Sequence, residues 1–457
     1  MTPQVPPETS TTAAASVKGI AGWPPPTAKG VPDAHAPPNC RHRTILPPIR
    51  LTLGALPDGG PRAMLARGGG AVDEDLVAQA GELADVFAER AAEYDRENAF
   101  PFRNFEDLRE AGFLRMPVPV ELGGLGAGLA EIVPVLERLA MGDGATALAV
   151  TMHISPLGQW ASVWRRTRNP RLEDLLRRAA AGKLIWASVT SEKGVPNDLT
   201  DARTRAVAVP GGFRVTGRKS FATNTAVATH CSITARHEEA EGGPRLLLCQ
   251  IALDQPGVRI HQTWDTLGMR ATQSNDLELE GVFVDDHRVV HSLPVGHLDA
   301  RVLETVWAWA MPAFAAVYIG IAAAALEWAV GQVTGRGKAA DPVVQDVLGE
   351  CRILLESARA LVFRHIDEVR TGRLFELGVQ EGVSRCALVK YVASNNAAGV
   401  VQRLVDVIGG ASYTRALPFE RLWRDVQAGT FMPMANLAAR RLIGASTLGV
   451  QMLPEVR

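Results

Sequence analysis

Residues 215–224, VTGRKSFATN, combine an aromatic ring and a hydroxyl within a short run of strand-forming residues. The pattern predicts a strand, a turn and a second strand that holds Phe221, Ala222 and Thr223 together. Residues two apart point to the same face of a strand, so the Phe221 ring and the Thr223 hydroxyl would share a face. Such a face can pack against a flat heterocycle and hydrogen-bond it, although most triplets of this kind belong to ordinary strands.

Two further segments combine polar residues with turn formers. Residues 263–276, TWDTLGMRATQSND, are predicted to be a polar loop that leads into a strand. Residues 405–429 end one helix at Gly409–Gly410 and begin another with closely spaced charges, at Glu420, Arg421, Arg424 and Asp425. A glycine pair in such a break permits close approach of the backbone to a ligand or a neighbouring subunit. A helix-turn-helix with surface ion pairs explains the same residues without a ligand.

The sequence does not indicate other kinds of site. The ten His residues form no H-E-x-x-H motif, so no metal site is predicted, and His153 and His365 are expected to be structural. The five Cys residues contain no C-x-x-C pair, which is typical of reduced thiols in a cytoplasmic protein. A nucleophile elbow, a Walker A loop and a Rossmann glycine fingerprint are also absent. The 48 basic residues balance 49 acidic ones, which argues against a nucleic-acid partner.

Four regions differ in composition and periodicity. Residues 1–70 hold 13 of the 29 prolines and predict a disordered extension. Residues 71–183 carry apolar residues at helical spacing and predict an N-terminal helical domain. Residues 184–295 alternate with period two between turn signals, which predicts an antiparallel β-sandwich or barrel that includes a strand at 219–223. Residues 296–457 predict a four-helix bundle, so the fold class is α+β.

Residues 305–326, TVWAWAMPAFAAVYIGIAAAAL, contain no charged residue, and Glu304 and Glu327 flank the run. This length reaches the threshold for a membrane span. The segment is rich in Ala rather than Leu, contains Pro312 and has no counterpart elsewhere in the chain. A helix that is apolar on all sides can also form the core of a large protein, so we expect a buried core helix and no membrane partner.

Five segments resemble, in order, motifs of the acyl-CoA dehydrogenase superfamily. VPVELGGLG at 118–126 resembles P-x-x-x-G-G-x-G, and GRKSFATN at 217–224 resembles G-x-K-x-W-I-T-N. The segment at 187–206, ASVTSEKGVPNDLTDARTRA, resembles T-E-P-x-x-G-S-D followed by T-x-A. The segment at 267–274, LGMRATQS, resembles L-G-x-R-x-T/S-x-S. The segment at 409–425, GGASYTRALPFERLWRD, resembles G-G-x-G-Y/F…P-x-E-R-x-x-R-D. The resemblance covers most of the chain after the Pro-rich extension. It implies a helical domain, a β domain and a C-terminal four-helix bundle, in agreement with the periodicity.

The resemblance also implies an FAD-dependent oxidoreductase, with the flavin between the β domain and the bundle. Thr223 matches a Thr that hydrogen-bonds the reactive side of the isoalloxazine, and Phe221 takes the place of the usual Trp against the ring. Ala222 lies between them, and Val189 and Thr190 would line the flavin from a second segment.

Further cofactor positions are implied in the bundle. Arg336 matches an Arg that reaches the FAD pyrophosphate of a neighbouring subunit, and Gly409 and Gly410 would let the adenosine half approach. Two positions depart from the pattern, because Asn197 replaces a Ser and Asp406 replaces a Gln that commonly meets the FAD. Sharing one cofactor between two subunits implies a homodimer or a homotetramer.

The main departure concerns the catalytic base. Dehydrogenases of this superfamily remove the α-proton of an acyl thioester with a Glu, and its two usual positions are occupied here by Pro433 and Ala310. A general base needs a titratable group within hydrogen-bond reach of the proton. The nearest acidic residue on the helix, Glu304, is a poor substitute because it lies six residues before Ala310.

Two functions follow from the resemblance. The first, which the sequence favours, is oxidation of an acyl thioester bound to CoA or a carrier protein, by hydride transfer to flavin N5, with electron-transfer flavoprotein as a partner. The second is a flavin-dependent monooxygenase on the same fold, which uses reduced FAD or FMN from a flavin reductase, together with O₂, to hydroxylate an N, S or aromatic C centre. Many divergent members keep this architecture for acyl thioesters, which favours the first. A catalytically silent flavin-binding protein is a third alternative.

Overall fold

The computed structural model describes residues 74–194 and 199–454, so the extension predicted at 1–70 lies outside the described residues. The N-terminal part is helical, with α1 at Glu74–Glu97, α2 at Phe102–Glu110, α3 at Leu129–Gly142, α4 at Gly144–Thr167 and α5 at Pro170–Ala180. The spacing of Leu76, Leu83 and Phe87 predicts one apolar face for α1, and the structure buries Leu76 and Phe87 and half-buries Leu83. At the start of α4, the Asp143 carboxylate accepts the backbone N–H groups of Ala145 and Thr146, as an N-cap does.

The central part is a sheet of eight described strands. They are β1 Trp186–Val189, β2 Arg205–Val209, β3 Gly212–Lys219, β4 His230–His237, β5 Arg245–Ala252, β6 Val258–His261, β7 Asp276–Asp285 and β8 Val289–Pro294. The order is β6-β7-β3-β2-β4-β5-β8, and β1 pairs with β4. Most neighbours are antiparallel, as the sequence predicts, but β1 runs parallel to β4 and β2 meets β4 in parallel at one residue pair.

Two details of the strand prediction are wrong. The strand predicted at 219–223 does not form, because β3 ends at Lys219 and Phe221 has a left-handed backbone with φ of 55°. A left-handed residue cannot continue a strand. The argument that Phe221 and Thr223 share a strand face therefore fails. β8 was not predicted from the sequence, and it is held by pairing with β5.

The C-terminal part is a helix bundle. A short α6 at Ala300–Val302 and a π-helical turn at Leu303–Trp307 lead into α7 at Ala308–Gly335. α8 follows at Pro342–Arg370, α9 at Val379–Ile408, α10 at Phe419–Val426 and α11 at Asn436–Thr447. The long helices α7, α8 and α9 pack on one another and α11 packs on α9, which agrees with the predicted bundle and confirms the α+β class.

The apolar helix α7 is the centre of this bundle. It contacts α3 and α4 of the N-terminal part and α8 and α9 of the C-terminal part. A Cβ at Gly320 would lie 2.2 Å from the Glu137 carbonyl oxygen, so α7 can cross α3 this closely only with glycine there. Within the described part of the chain, one helix, Ala300–Gly335, is long and apolar enough to cross a membrane, and 72% of its most apolar window is buried inside the protein. This burial is what the core helix of a bundle requires.

Candidate active site

The loop after β3 presents the aromatic ring and the hydroxyl that the sequence singled out. Phe221 is 50% exposed, and its ring meets Trp264 edge to face at 5.7 Å between centroids. The left-handed turn at Phe221 lets the Ala222 N–H reach the Asn275 carbonyl at 3.0 Å. Ala222 is fully buried and Thr223 is nearly so. The turn therefore exposes a ring beside a largely buried hydroxyl.

The Thr223 hydroxyl continues into a row of three hydroxyls. Its Oγ1 lies 2.6 Å from Ser274 Oγ, which lies 2.7 Å from Thr272 Oγ1. Thr272 Oγ1 donates to the Met269 carbonyl at 2.9 Å. All three hydroxyl residues are at most 7% exposed. The sequence placed Thr272 and Ser274 in a polar loop, where they match the T/S and S of the motif L-G-x-R-x-T/S-x-S, but it assigned neither of them a role.

The shape of this polar loop is set by its own side chains and by α1. Asn275 Oδ1 accepts the N–H groups of Thr263 and Trp264 at 2.8 and 2.9 Å. From the end of α1, the Asn98 amide donates to the Trp264 carbonyl at 2.6 Å, and the Asp95 carbonyl accepts Arg270 Nε at 2.9 Å. Hydrogen bonds within the loop and to the end of α1 therefore fix its shape without a ligand.

The charged segment that the sequence indicated at 405–429 includes α10, which contacts the same polar loop. Asp425 Oδ1 accepts the Met269 N–H at 2.5 Å, and a Cβ at Gly268 would lie 2.3 Å from the Arg424 carbonyl oxygen. Arg424 pairs with Asp95 at 2.6 Å. Burial raises the pKa of the Asp425 carboxyl to about 7. These charged groups are mostly buried, so the alternative of surface ion pairs is wrong, and the three segments meet in one structure.

A separate group of predicted residues lies at the ends of α7 and α9. Arg336 follows α7, is exposed, and donates from Nη1 to the Ile408 carbonyl at 3.0 Å. The next residues are the exposed Gly409 and Gly410, and a Cβ at either would meet no atom within 4 Å. Gly409 has φ of 68°, a left-handed value that favours glycine. Asp406 is exposed on the last turn of α9. An exposed guanidinium thus lies beside a backbone turn with open space around it.

Two other predicted residues lie at the end of β1 and just after it. Val189 is the last residue of β1 and is fully buried, and Thr190 follows it half-buried. Asn197 lies outside the described residues. Beyond β1, Glu192 accepts the Lys219 ammonium at 2.5 Å and the Thr204 N–H at 3.1 Å, and both members of the ion pair are buried. This pair ties the segment after β1 to the end of β3.

The two histidines that the sequence assigned to structure are buried. His153 Nε2 contacts the Leu114 carbonyl at 2.9 Å, and its Nδ1 accepts the Trp186 N–H at 3.1 Å. Burial lowers the pKa of His153 to about 4, and it does the same to His365. Among residues 74–194 and 199–454, no cluster of three His, Cys, Asp or Glu side chains could hold a metal ion.

Comparisons with known proteins agree on one family. Family models of the acyl-CoA dehydrogenase N-terminal, middle and C-terminal domains match residues 73–182, 187–282 and 301–445. The putative acyl-CoA dehydrogenase YdbM of Bacillus subtilis (strain 168) is 32% identical over 371 residues, which are 77% of this chain and 91% of YdbM. The chain belongs to the acyl-CoA dehydrogenase family. The resemblance seen in the five sequence motifs is thereby confirmed.

Other similar proteins are named for reactions other than acyl-CoA dehydrogenation or were solved with FMN. The amino sugar nitrososynthase DnmZ of Streptomyces peucetius is 32% identical over 374 residues, which are 79% of this chain and 87% of DnmZ. A solved structure of KijD3 in complex with FMN and dTDP-3-amino-2,3,6-trideoxy-4-keto-3-methyl-D-glucose superimposes with a TM-score of 0.76 and 29% identity. It covers 83% of this chain and 94% of KijD3.

The two positions where dehydrogenases of this family are expected to place their base lie on α7 and in the loop before α11. Ala310 is half-buried on α7, and Glu304, in the π-helical turn, forms an ion pair with Arg166. Pro433 follows α10 in the loop that leads to α11. Neither Ala310 nor Pro433 has a titratable side chain.

A buried lysine behind Pro433 was missed by the sequence reasoning. Lys390 on α9 is fully buried, and its Nζ donates to the Met432 and Met434 carbonyls at 2.8 and 3.0 Å. These carbonyls flank Pro433. Burial lowers the pKa of Lys390 to about 7. The only signal in the sequence is a single Lys within the apolar run ALVKYVA of a helix.

Proposed function

We propose that this flavin-dependent oxidoreductase is a monooxygenase that uses reduced flavin and O₂ to oxygenate an N, S or aromatic C centre of a small-molecule substrate. The observation that carries the proposal is the lack of a proton acceptor at either expected base position. Ala310 and Pro433 have no acidic group, and the nearby Glu304 is paired with Arg166. Removal of an α-proton from a thioester needs a free acceptor within hydrogen-bond reach. Oxygenation through a flavin has no such requirement.

Lys390 does not replace the missing base. Its Nζ is already used to hold two carbonyls, and it is enclosed behind the loop rather than exposed on it. In the charged state an ammonium is a donor only. Lys390 therefore holds the backbone on both sides of Pro433 and does not supply a carboxylate there.

The residues around Thr223 fit the isoalloxazine end of FAD or FMN. Phe221 and Trp264 offer aromatic surface, and the half-exposed Phe221 ring is available for stacking. Thr223 offers one hydroxyl, and Ala222, Val189 and Thr190 would form the walls beside it. When bound in its reduced form, the flavin supplies two electrons to O₂, so that one oxygen atom enters the substrate and the other leaves as water.

The residues at the ends of α7 and α9 fit the phosphate end of the cofactor. Arg336 is exposed and uses Nη1 for the Ile408 carbonyl, so its remaining N–H groups can bind a phosphate. Gly409 and Gly410 leave open space in which a phosphate or a nucleotide can approach the backbone. Asp406 is a carboxylate, so it would lie beside the phosphate group rather than bind it. Asn197 would contact the same cofactor from the segment after β1.

The nature of the relatives supports an amine nitrogen as the first substrate centre to test. DnmZ is named as an amino sugar nitrososynthase, and KijD3 was solved with FMN and a dTDP-linked amino sugar. Both proteins match most of this chain at close to 30% identity. We infer that a flavin reductase is the redox partner and that the protein is a homodimer or homotetramer, which size-exclusion chromatography with light scattering would test.

Oxidation of an acyl thioester is the second candidate. It is supported by YdbM, a putative acyl-CoA dehydrogenase at 32% identity, and by the three domain matches. Under this candidate the substrate would need an α-proton acidic enough to leave without a protein carboxylate.

One experiment separates the two candidates. The purified protein is loaded with FAD or FMN and mixed anaerobically with acyl-CoA thioesters and, separately, with dTDP-linked amino sugars. A monooxygenase leaves the flavin yellow in both mixtures, and after addition of NADH, a flavin reductase and O₂ it yields an oxygenated amine. Bleaching of the flavin by a thioester without a reductant would refute the monooxygenase.

A gain-of-function variant provides the control. Ala310→Glu and Pro433→Glu place a carboxylate at the two expected base positions. If the missing base alone prevents thioester oxidation, at least one variant should bleach with acyl-CoA whereas the parent protein does not. Phe102→Glu, at an exposed position in α2, is the matched control and should behave as the parent.

A further inference from the structure

The row of hydroxyls that begins at Thr223 has one direction in which all three of its contacts are hydrogen bonds. The Met269 carbonyl at its far end can only accept, and it takes the Thr272 hydroxyl proton at 2.9 Å and the Trp264 Nε1 proton at 3.2 Å. Thr272 has then used its proton, so the 2.7 Å contact with Ser274 needs the Ser274 proton. The 2.6 Å contact between Ser274 and Thr223 in turn needs the Thr223 proton. Three protons thus serve three hydrogen bonds, and each donates toward Met269.

Burial keeps this direction from changing. Thr272 is 1% exposed, Ser274 4% and Thr223 7%, so water has little access to offer other partners. The alternative acceptor for Thr223, the Phe221 carbonyl, lies at 3.5 Å, the outer limit for a hydrogen bond. The Thr223 oxygen consequently has lone pairs but no proton for a ligand that reaches it.

We propose that Thr272 and Ser274 are positioning residues that make Thr223 a hydrogen-bond acceptor, so that the site binds reduced flavin more tightly than oxidised flavin. The inference rests on the proposed function, in which Thr223 would hydrogen-bond the reactive N5 side of the isoalloxazine, as the family motif implies. N5 of the oxidised ring is an acceptor, and it would face a second acceptor at Thr223. N5 of the two-electron-reduced ring carries a hydrogen, which Thr223 can accept.

The test compares the dissociation constants of FMN and of dithionite-reduced FMN, measured anaerobically by fluorescence and absorbance titration. The parent protein is expected to bind reduced FMN more tightly. Ser274→Ala frees the Thr223 proton, which can then be donated to oxidised N5. The ratio of oxidised to reduced dissociation constants should fall about tenfold, which corresponds to a decrease of about 30 mV in the two-electron potential of the bound flavin.

Two further variants keep the test independent of one substitution. Thr272→Val breaks the row one step farther away and frees the same proton, because Ser274 can then donate to Thr223. It should therefore change the ratio in the same direction as Ser274→Ala. Thr272→Ser retains the hydroxyl and should leave the ratio at the parent value.

A matched control separates polarity from loss of packing. Thr225 is another buried threonine of the same turn, and its hydroxyl donates to the Ala222 carbonyl at 2.7 Å, outside the row. Thr225→Val should leave the ratio unchanged even if it lowers the melting temperature. An unchanged ratio in both Ser274→Ala and Thr272→Val, with FMN still bound, overturns this inference alone. Failure of the parent protein to bind FMN or FAD in either redox state overturns the inference and the proposed function together.

Discussion

Replacing Lys390 by Met should change the pH dependence of stability more than stability itself. In the folded protein, burial lowers the pKa of Lys390 from 10.5 to about 7, so unfolded chains bind more protons at this residue between these two pH values. Stability therefore rises with pH across this window. The linkage relation gives roughly 3 to 4 kcal/mol between pH 7 and pH 10 for such a shift.

The substitution also removes a donor from two enclosed carbonyls. Nζ serves the Met432 and Met434 carbonyls at 2.8 and 3.0 Å, and an unsatisfied buried acceptor costs about 1–3 kcal/mol. Lys390→Met should thus be close to neutral at pH 7, where the buried charge is costly. At pH 10 the neutral Lys390 amine of the parent protein still donates to both carbonyls without the cost of a buried charge. Lys390→Met should therefore be destabilising by about 2–6 kcal/mol at this pH.

Urea unfolding followed by circular dichroism at pH 7, 8.5 and 10 measures the free energy of unfolding and its dependence on pH for both proteins. Lys338→Met removes an exposed lysine just after α7 and is the control for loss of a positive charge. Its difference from the parent should not vary with pH by more than surface charges allow, within about 1 kcal/mol. If the free energies of unfolding of Lys390→Met and of the parent change equally between pH 7 and pH 10, burial does not lower the pKa of Lys390 and the reasoning is refuted.

Three other substitutions test the contacts around the polar loop. Burial raises the pKa of the Asp425 carboxyl in the folded protein to about 7, so its contribution to stability is full below about pH 4 and is lost as the pH rises through 7. Asp425→Asn keeps a hydrogen-bond acceptor but cannot ionise. The variant should therefore lose no stability between pH 5 and pH 8 at this residue, which a comparison of urea midpoints at the two pH values measures. Gly268→Ala would bring a Cβ to 2.3 Å from the Arg424 carbonyl and should lower the melting temperature, whereas Gly331→Ala, with open space in α7, should not. Glu192→Gln leaves a buried ammonium without its carboxylate and should cost about 3–5 kcal/mol in urea unfolding, and an effect below 1 kcal/mol would contradict a buried ion pair.

Local sequence patterns were sufficient for the order and type of most elements. Apolar residues at helical spacing marked α1, and alternation marked most strands of the sheet. These patterns work because burial of one face is a property of residues close in the chain. The strand predicted at 219–223 fails for the opposite reason. Its backbone follows a hydrogen bond from Ala222 to Asn275, fifty-three residues away, which overrides the local preference.

The candidate site was predicted in parts. Phe221, Thr223 and the loop at 263–276 were selected from residue type and motif, and the structure brings them into contact. Lys390 could not be assigned from sequence, because its two carbonyl partners lie 42 and 44 residues further along the chain. A lysine on a helix is exposed in most proteins, and only the packing of α9 against the loop around Pro433 makes this one buried.

The sequence by itself determined the family, the α, β, α order of the chain and the lack of a carboxylate at Ala310 and Pro433. These are properties of residue identity and spacing, so no packing is needed to recognise them. Tertiary structure decided that the charge-free helix α7 is enclosed by other helices, and that Thr223, Ser274 and Thr272 form a row that ends at the Met269 carbonyl. The direction of a hydrogen-bond row depends on which group ends it, and that group, the Met269 carbonyl, is placed by contacts with α1 and α10 that are distant in the chain.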